Sequence, residues 1–131
     1  MTNAAKTASY REMEILSASP SRLLVMLFEQ LVVQLTRAKL AIEMENVALR
    51  TDSIARSRAI VSELLATLDF EKGGSIATEL SAIYTFVLRE LVDVGMRKDL
   101  VTLAKLTFIA SELRDGFAGA AAEQAGVKRS A

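Results

Sequence analysis

The sequence predicts an all-α protein: an antiparallel up-down four-helix bundle with an N-terminal tail or short helix folded onto it. Three observations carry this reading. Apolar residues recur at intervals of three and four along four long segments, which is the spacing of one helix face. The breaks between those segments are only a few residues long, so successive helices run antiparallel. No stretch alternates apolar with polar residues as a half-buried strand does, and no internal repeat is present.

The first helix spans about Pro20 to Met44. Ser19 suits the N-cap, where its hydroxyl accepts a free backbone N–H, and Pro20 suits the first helical position, where no N–H is needed. Leu24, Phe28, Leu31, Leu35, Ala38 and Ile42 form one stripe. Leu23, Val25, Met26, Leu27, Val32 and Val33 fall outside it. A helix apolar nearly all round is buried on more than one side, so the other helices are expected to gather around this one, or one of its faces is left for a partner. The apolar run is too short to cross a bilayer, which takes roughly 20 residues, and no stable membrane insertion is expected.

Glu43, Glu45 and Asn46 form a polar break, with Asn46 as N-cap of the second helix. Val47, Ile54, Val61 and Leu68 then recur every seven residues, while Arg50, Asp52, Arg56, Arg58 and Glu63 lie off that stripe. Gly73-Gly74 is expected to end this helix in the left-handed conformation, and Ser75 to cap the third. Ile76, Leu80, Ile83, Tyr84, Val87, Leu88 and Leu91 make the third helix's broad apolar face; Phe86 and Val92 lie away from its centre. Gly95 is expected to end that helix and Asp99 to cap the fourth, whose stripe is Leu103, Leu106, Ala110, Leu113 and Phe117. Val101, Ala104 and Phe108 fall on a different side. The expected boundaries are a tail over 1–18, the bundle over 19–117 and a flexible C-terminal tail over 118–131.

Composition removes several classes of function. The 131 residues include no cysteine and no histidine. Disulfides, thiolate nucleophiles, Glu-x-x-His di-iron sites and histidine-based acid–base catalysis are therefore unavailable. The carboxylate pairs Glu12/Glu14 and Glu43/Glu45 are spaced by two, which points them to different sides of a helix. No catalytic, metal or cofactor-binding residues are assigned, no cofactor is expected, and the chain is read as a non-enzyme. Formal net charge is zero, which argues against nucleic acid as a partner. The absence of cysteine fits a cytosolic location, and residues 1–6 lack the apolar core of a secretion signal.

Apolar surface is what remains. Hydrophobic residues make up 51% of the chain, more than a small bundle readily hides, so dense packing, self-association or a partner must cover the excess. The candidate partner-binding or groove-capping residues are Tyr10, Met13, Ile15 and Leu16 in the tail, Val25 and Val32 on the first helix, and Val101 and Phe108 on the fourth. Each also has a plain reading as core or as a cover for the end of the bundle.

Two stretches then carry a resemblance. Tyr10, Ile15-Leu16-Ser17-Ala18-Ser19-Pro20 and Leu23-Leu24-Val25-Met26-Leu27-Phe28 resemble the opening of the FliS family of flagellar secretion chaperones. Leu64-Leu65-Ala66-Thr67-Leu68-Asp69-Phe70-Glu71-Lys72-Gly73-Gly74 is similar to that family's central signature. Arg56, Tyr84, Lys98-Asp99 and Glu112-Leu113-Arg114 fall where its helices carry similar residues. Ser17 departs from a usual threonine, Glu29-Gln30 from a common Asp-Gly pair, Ser75 from a frequent acidic residue and Phe117 from a frequent tryptophan. The resemblance implies a cytoplasmic export chaperone that binds the disordered C-terminal segment of flagellin, prevents its premature polymerisation and hands it to the flagellar export apparatus. The alternative is a non-enzymatic bundle whose extra apolar surface is a homodimer interface or a site for an apolar ligand.

Overall fold

The structure is a computed structural model that describes residues 19–130. Tyr10, Met13, Ile15 and Leu16 lie outside the described residues. Four helices follow in order, with no strand among the described residues: α1 (Pro20–Glu43), α2 (Val47–Ala66), α3 (Phe70–Arg97) and α4 (Leu100–Ser130). Short links make them a bundle, as the sequence predicts.

α1 starts as its cap signal dictates: the Arg22 N–H donates to Ser19 Oγ at 3.2 Å, with Pro20 in the first turn. It packs against both α2 and α4, while α2 also packs against α3. Phe28, Leu35 and Ala38 are completely buried on its inner stripe. Off that stripe Val25 and Met26 are buried too, whereas Leu23 and Val33 are exposed. The expectation of burial on more than one side therefore holds for part of the helix. Gln34 is the polar exception in α1, buried with its Oε1 unpartnered.

α2 is capped by Asn46, whose Oδ1 accepts from the Leu49 N–H at 3.0 Å. Ser53 and Ser57 are fully buried. Their hydroxyls donate back to Leu49 O at 2.7 Å and Ser53 O at 2.8 Å, so small, internally satisfied side chains fill the contact faces of this helix.

The α2–α3 link differs from the sequence reading. α2 ends at Ala66, not at Gly73, and the Thr67 hydroxyl donates to Leu64 O at 2.7 Å. Asp69 is the next N-cap: its Oδ1 accepts from the Glu71 and Lys72 N–H groups at 3.1 and 3.0 Å. A capping aspartate starts a new helix four residues before the glycine pair takes effect. Gly74 then adopts φ 53°, ψ −125° and breaks the helix after its first turn. Gly74 takes a positive φ, but its ψ is not that of the left-handed cap expected there; it kinks α3 and does not stop α2, and Asp69, not Ser75, caps α3.

Gly95 is likewise inside α3, lying over Ile54 of α2. The left-handed residue that ends α3 is Lys98, at φ 56°. Glu45 plays the same part between α1 and α2, at φ 55°. Neither residue type favours that conformation, so residue identity gave no signal for either position. α4 starts where expected: Asp99 accepts from the Thr102 N–H at 3.0 Å and from its hydroxyl at 2.7 Å. It continues as helix through Ser130, past the position 117 at which the sequence reading ends the bundle.

Two outcomes are expected from these features. Gly74→Ala should destabilise the protein by about 1–3 kcal/mol, because a side chain is strained at this φ and ψ; urea unfolding against the parent chain measures it. The Thr102 hydroxyl, and then its backbone N–H, hold the Asp99 carboxyl below the ordinary value of 3.8. A lowered folded value means stability that is present above the unfolded value and lost as pH falls through the folded one. The stability advantage of the parent over Asp99→Asn should therefore shrink as pH is lowered below 3.8, read by thermal melts across an acid series.

Candidate interaction surface

Aromatic packing organises one end of the bundle. Phe28 of α1 stacks on Phe117 of α4 with ring centroids 5.3 Å apart. It also meets Tyr84 of α3 at 6.4 Å with a 40° tilt. Beside these rings opens a cleft of about 290 Å³, lined by Leu24, Leu68, Ile76, Leu80, Tyr84 and Phe117 among others. A second hollow of about 450 Å³, lined by Pro20, Leu23, Leu24, Leu27 and Thr67, shares Leu24 and Thr67 with it. Both lie where α1 begins and α2 ends, and the first also reaches the kink of α3. Burial pushes the Tyr84 phenol up to about 12, so it stays protonated across the physiological range.

The other notable surface is the outer side of α4. Val101 and Phe108, two turns apart, are 68% and 65% exposed, with exposed Ala104 between them. Leu103, Leu106 and Ala110 fill the opposite, buried side. α3 and α4 touch only sparsely, unlike the other neighbouring pairs in the bundle. That flank is the least closed side of the bundle.

The structure thus divides the candidate residues. Val101 and Phe108 are brought together on one exposed face. Val25 is buried, and Val32 is half-buried against the core, so these two present little surface to a partner. Sequence reasoning missed the end cleft, because Leu24, Leu80, Tyr84 and Phe117 belong to core stripes and only their three-dimensional arrangement leaves space between them. It also missed a groove between α2 and α3 lined by Arg50, Ile54, Arg58, Val92 and Met96. A signal for that groove was present in Val92 and Met96, apolar residues displaced from the centre of the α3 stripe.

Among the described residues, no three His, Cys, Asp or Glu side chains gather as a metal site requires. No helix there is long and apolar enough to cross a membrane. The chemistry on display is apolar contact.

The model of the family described as Flagellar protein FliS matches residues 1–124. Among curated proteins, the flagellar secretion chaperone FliS of Salmonella typhimurium is 33% identical over 107 residues, covering 81% of this chain and 79% of that protein. FliS of Campylobacter jejuni is 45% identical over 67 residues, covering 51% and 52% of the two chains. FliS of Bacillus subtilis is 23% identical over 109 residues, covering 83% and 80%. With the family model matching nearly the whole chain, and the described residues folding as a four-helix bundle, this chain belongs to the FliS family of flagellar proteins.

Proposed function

We propose that this chain is a non-enzymatic, cytoplasmic flagellar secretion chaperone whose client is the C-terminal segment of flagellin, held unpolymerised until the export apparatus takes it. Family membership supports the chaperone role. The observation that carries the client reading is the exposed apolar face of Val101, Ala104 and Phe108 on the outer side of α4. An amphipathic client segment lays apolar residues at i, i+3, i+4 and i+7 against such a face. Folding on the surface buries on the order of 1,000–3,000 Å² and offsets the cost of ordering the segment.

Intact flagellin from the same organism should bind in isothermal titration with a large negative heat-capacity change. Flagellin lacking its last ~40–50 residues, about the span a bundle this size can contact, should not bind. Val101→Asp with Phe108→Asp should weaken binding to the intact form while leaving helix content unchanged, since both side chains are exposed. A tight dimer in sedimentation, with no affinity for either flagellin, would favour the homodimer or apolar-ligand alternative.

The segment bearing Tyr10, Met13, Ile15 and Leu16 is assigned to cap part of the client surface when flagellin is absent. Competition of this kind protects apolar surface from self-association and lowers apparent client affinity. Deleting residues 1–16 should therefore raise flagellin affinity or promote dimerisation. A deletion that leaves both as in the full chain would remove the capping role.

A further inference from the structure

The end of the bundle away from the aromatic cleft carries two links, α1–α2 and α3–α4. Each closes through a non-glycine residue in the left-handed region, Glu45 at φ 55° and Lys98 at φ 56°, where a Cβ crowds the backbone. The helices they join differ. α1 and α2 pack extensively, whereas α3 and α4 barely touch and α4 is held chiefly by α1. Opening the α1–α2 link would sacrifice a packed interface. Opening the α3–α4 link sacrifices little and relieves Lys98. It leaves α4 in need of an α1 to cover Leu103, Leu106 and Ala110, which are buried in the closed chain.

The link itself is built to open. Only Lys98 and Asp99 separate α3 from α4, and the stretch Met96-Arg97-Lys98-Asp99-Leu100-Val101 contains neither glycine nor proline. With Lys98 at a helical φ, the carbonyls at the end of α3 and the N–H groups at the start of α4 satisfy one another. That gain offsets the loss of the Asp99 cap on Thr102. Short hinges under strain are the ones through which identical chains exchange an element.

We infer that two copies of this chain exchange α4, each laying it on the other's α1. A two-fold axis across the open links sets the bundles end to end and places each α4 in line with its own α3. Every α1–α4 core contact of the closed chain is then remade between chains. The ends that meet are apolar: Met44, Val47 and Met96 are 63%, 61% and 74% exposed, and Leu100 is 39% exposed. Met96 lines a groove with Arg50 and Thr51 in the first turns of α2, which brings the end of α3 beside the start of α2. In the exchanged pair these side chains meet their counterparts across the axis, a contact the lone chain lacks. The inference stands apart from the flagellin reading, since it concerns the chain with itself.

The test refolds a mixture of carbon-13-labelled and unlabelled full-length chain from urea at high concentration and isolates the dimer by sedimentation. The Phe28 and Phe117 rings, 5.3 Å between centroids, are close enough for a nuclear Overhauser effect. In the exchanged dimer an isotope-filtered spectrum should show that effect between a labelled and an unlabelled chain. Lys98→Gly removes the strain of the closed link and weakens the open helix, so the dimer should be reduced roughly tenfold or more. Lys98→Val, β-branched and ill suited to a positive φ, should raise it several-fold. Circular dichroism should show equal helix content in all three chains. A dimer whose Phe28–Phe117 effect arises only within chains would overturn the exchange. So would a Lys98→Gly chain that dimerises as the parent does, or a parent and Lys98→Val chain that both refold as monomers.

Discussion

The position of Phe28 is the constraint on which the bundle depends. It is completely buried on α1, stacks on Phe117 of α4 and reaches Tyr84 of α3. Burying one such ring contributes about 1.5–3 kcal/mol, and each well-placed aromatic pair adds about 0.5–1.5 kcal/mol. More important than the sum is the geometry. α3 and α4 touch each other sparsely, so Phe28 is a shared anchor that relates them through α1. A helix that holds its neighbours in this way must be apolar on several sides, which is how the α1 sequence reads. Leu64, Leu91, Leu103 and Leu106 extend the same core along the other three helices.

Anchoring α3 and α4 through a third helix leaves their common flank free of the requirement to close. Val101 and Phe108 remain outside because Leu103, Leu106 and Ala110 already complete the buried side of α4. An apolar residue on the outer side of a satisfied helix contributes nothing to the fold of the lone chain. Its retention in solvent has a cost in solubility, and a partner that covers it removes that cost. The same logic applies to Met96 and Val92 beside the α2–α3 groove. Core and docking surface are thus two uses of one excess of apolar residues, divided by which side of each helix they occupy.

Much of this was legible in the sequence, for reasons that differ by element. Helix starts were legible because capping is a local interaction: Ser19, Asn46 and Asp99 accept N–H groups only three residues away. Core stripes were legible because periodicity is also local, and Phe28, Leu35, Val61, Leu91 and Leu106 are buried where it places them. Helix ends were harder. Gly73-Gly74 and Gly95 carry a stop signal in isolation, but Asp69 restarts the helix before the first pair, and α3 runs on past Gly95 to end at Lys98. Val25 shows the same limit for surfaces. Periodicity places it off the main stripe of α1, and only the fold shows that it is buried. Conversely, the cleft beside Tyr84 is made by residues from three helices and the α2–α3 link and has no signature in any one of them.

Kinking α3 at Gly74 links these themes. Without a break there, the turn Phe70–Gly73 would extend the axis of the long helix. With φ 53° at Gly74 the turn takes its own direction, and Phe70 and Ile76 are left 55% and 64% exposed. Ile76 lines the end cleft together with Leu24, Tyr84 and Phe117. The cleft is bordered by the aromatic anchor on one side and by the kinked turn on the other. A segment that docks there meets Tyr84 and Phe117, the two rings packed on Phe28. The positive φ that glycine permits at position 74 is therefore the local condition for an open apolar end on the bundle.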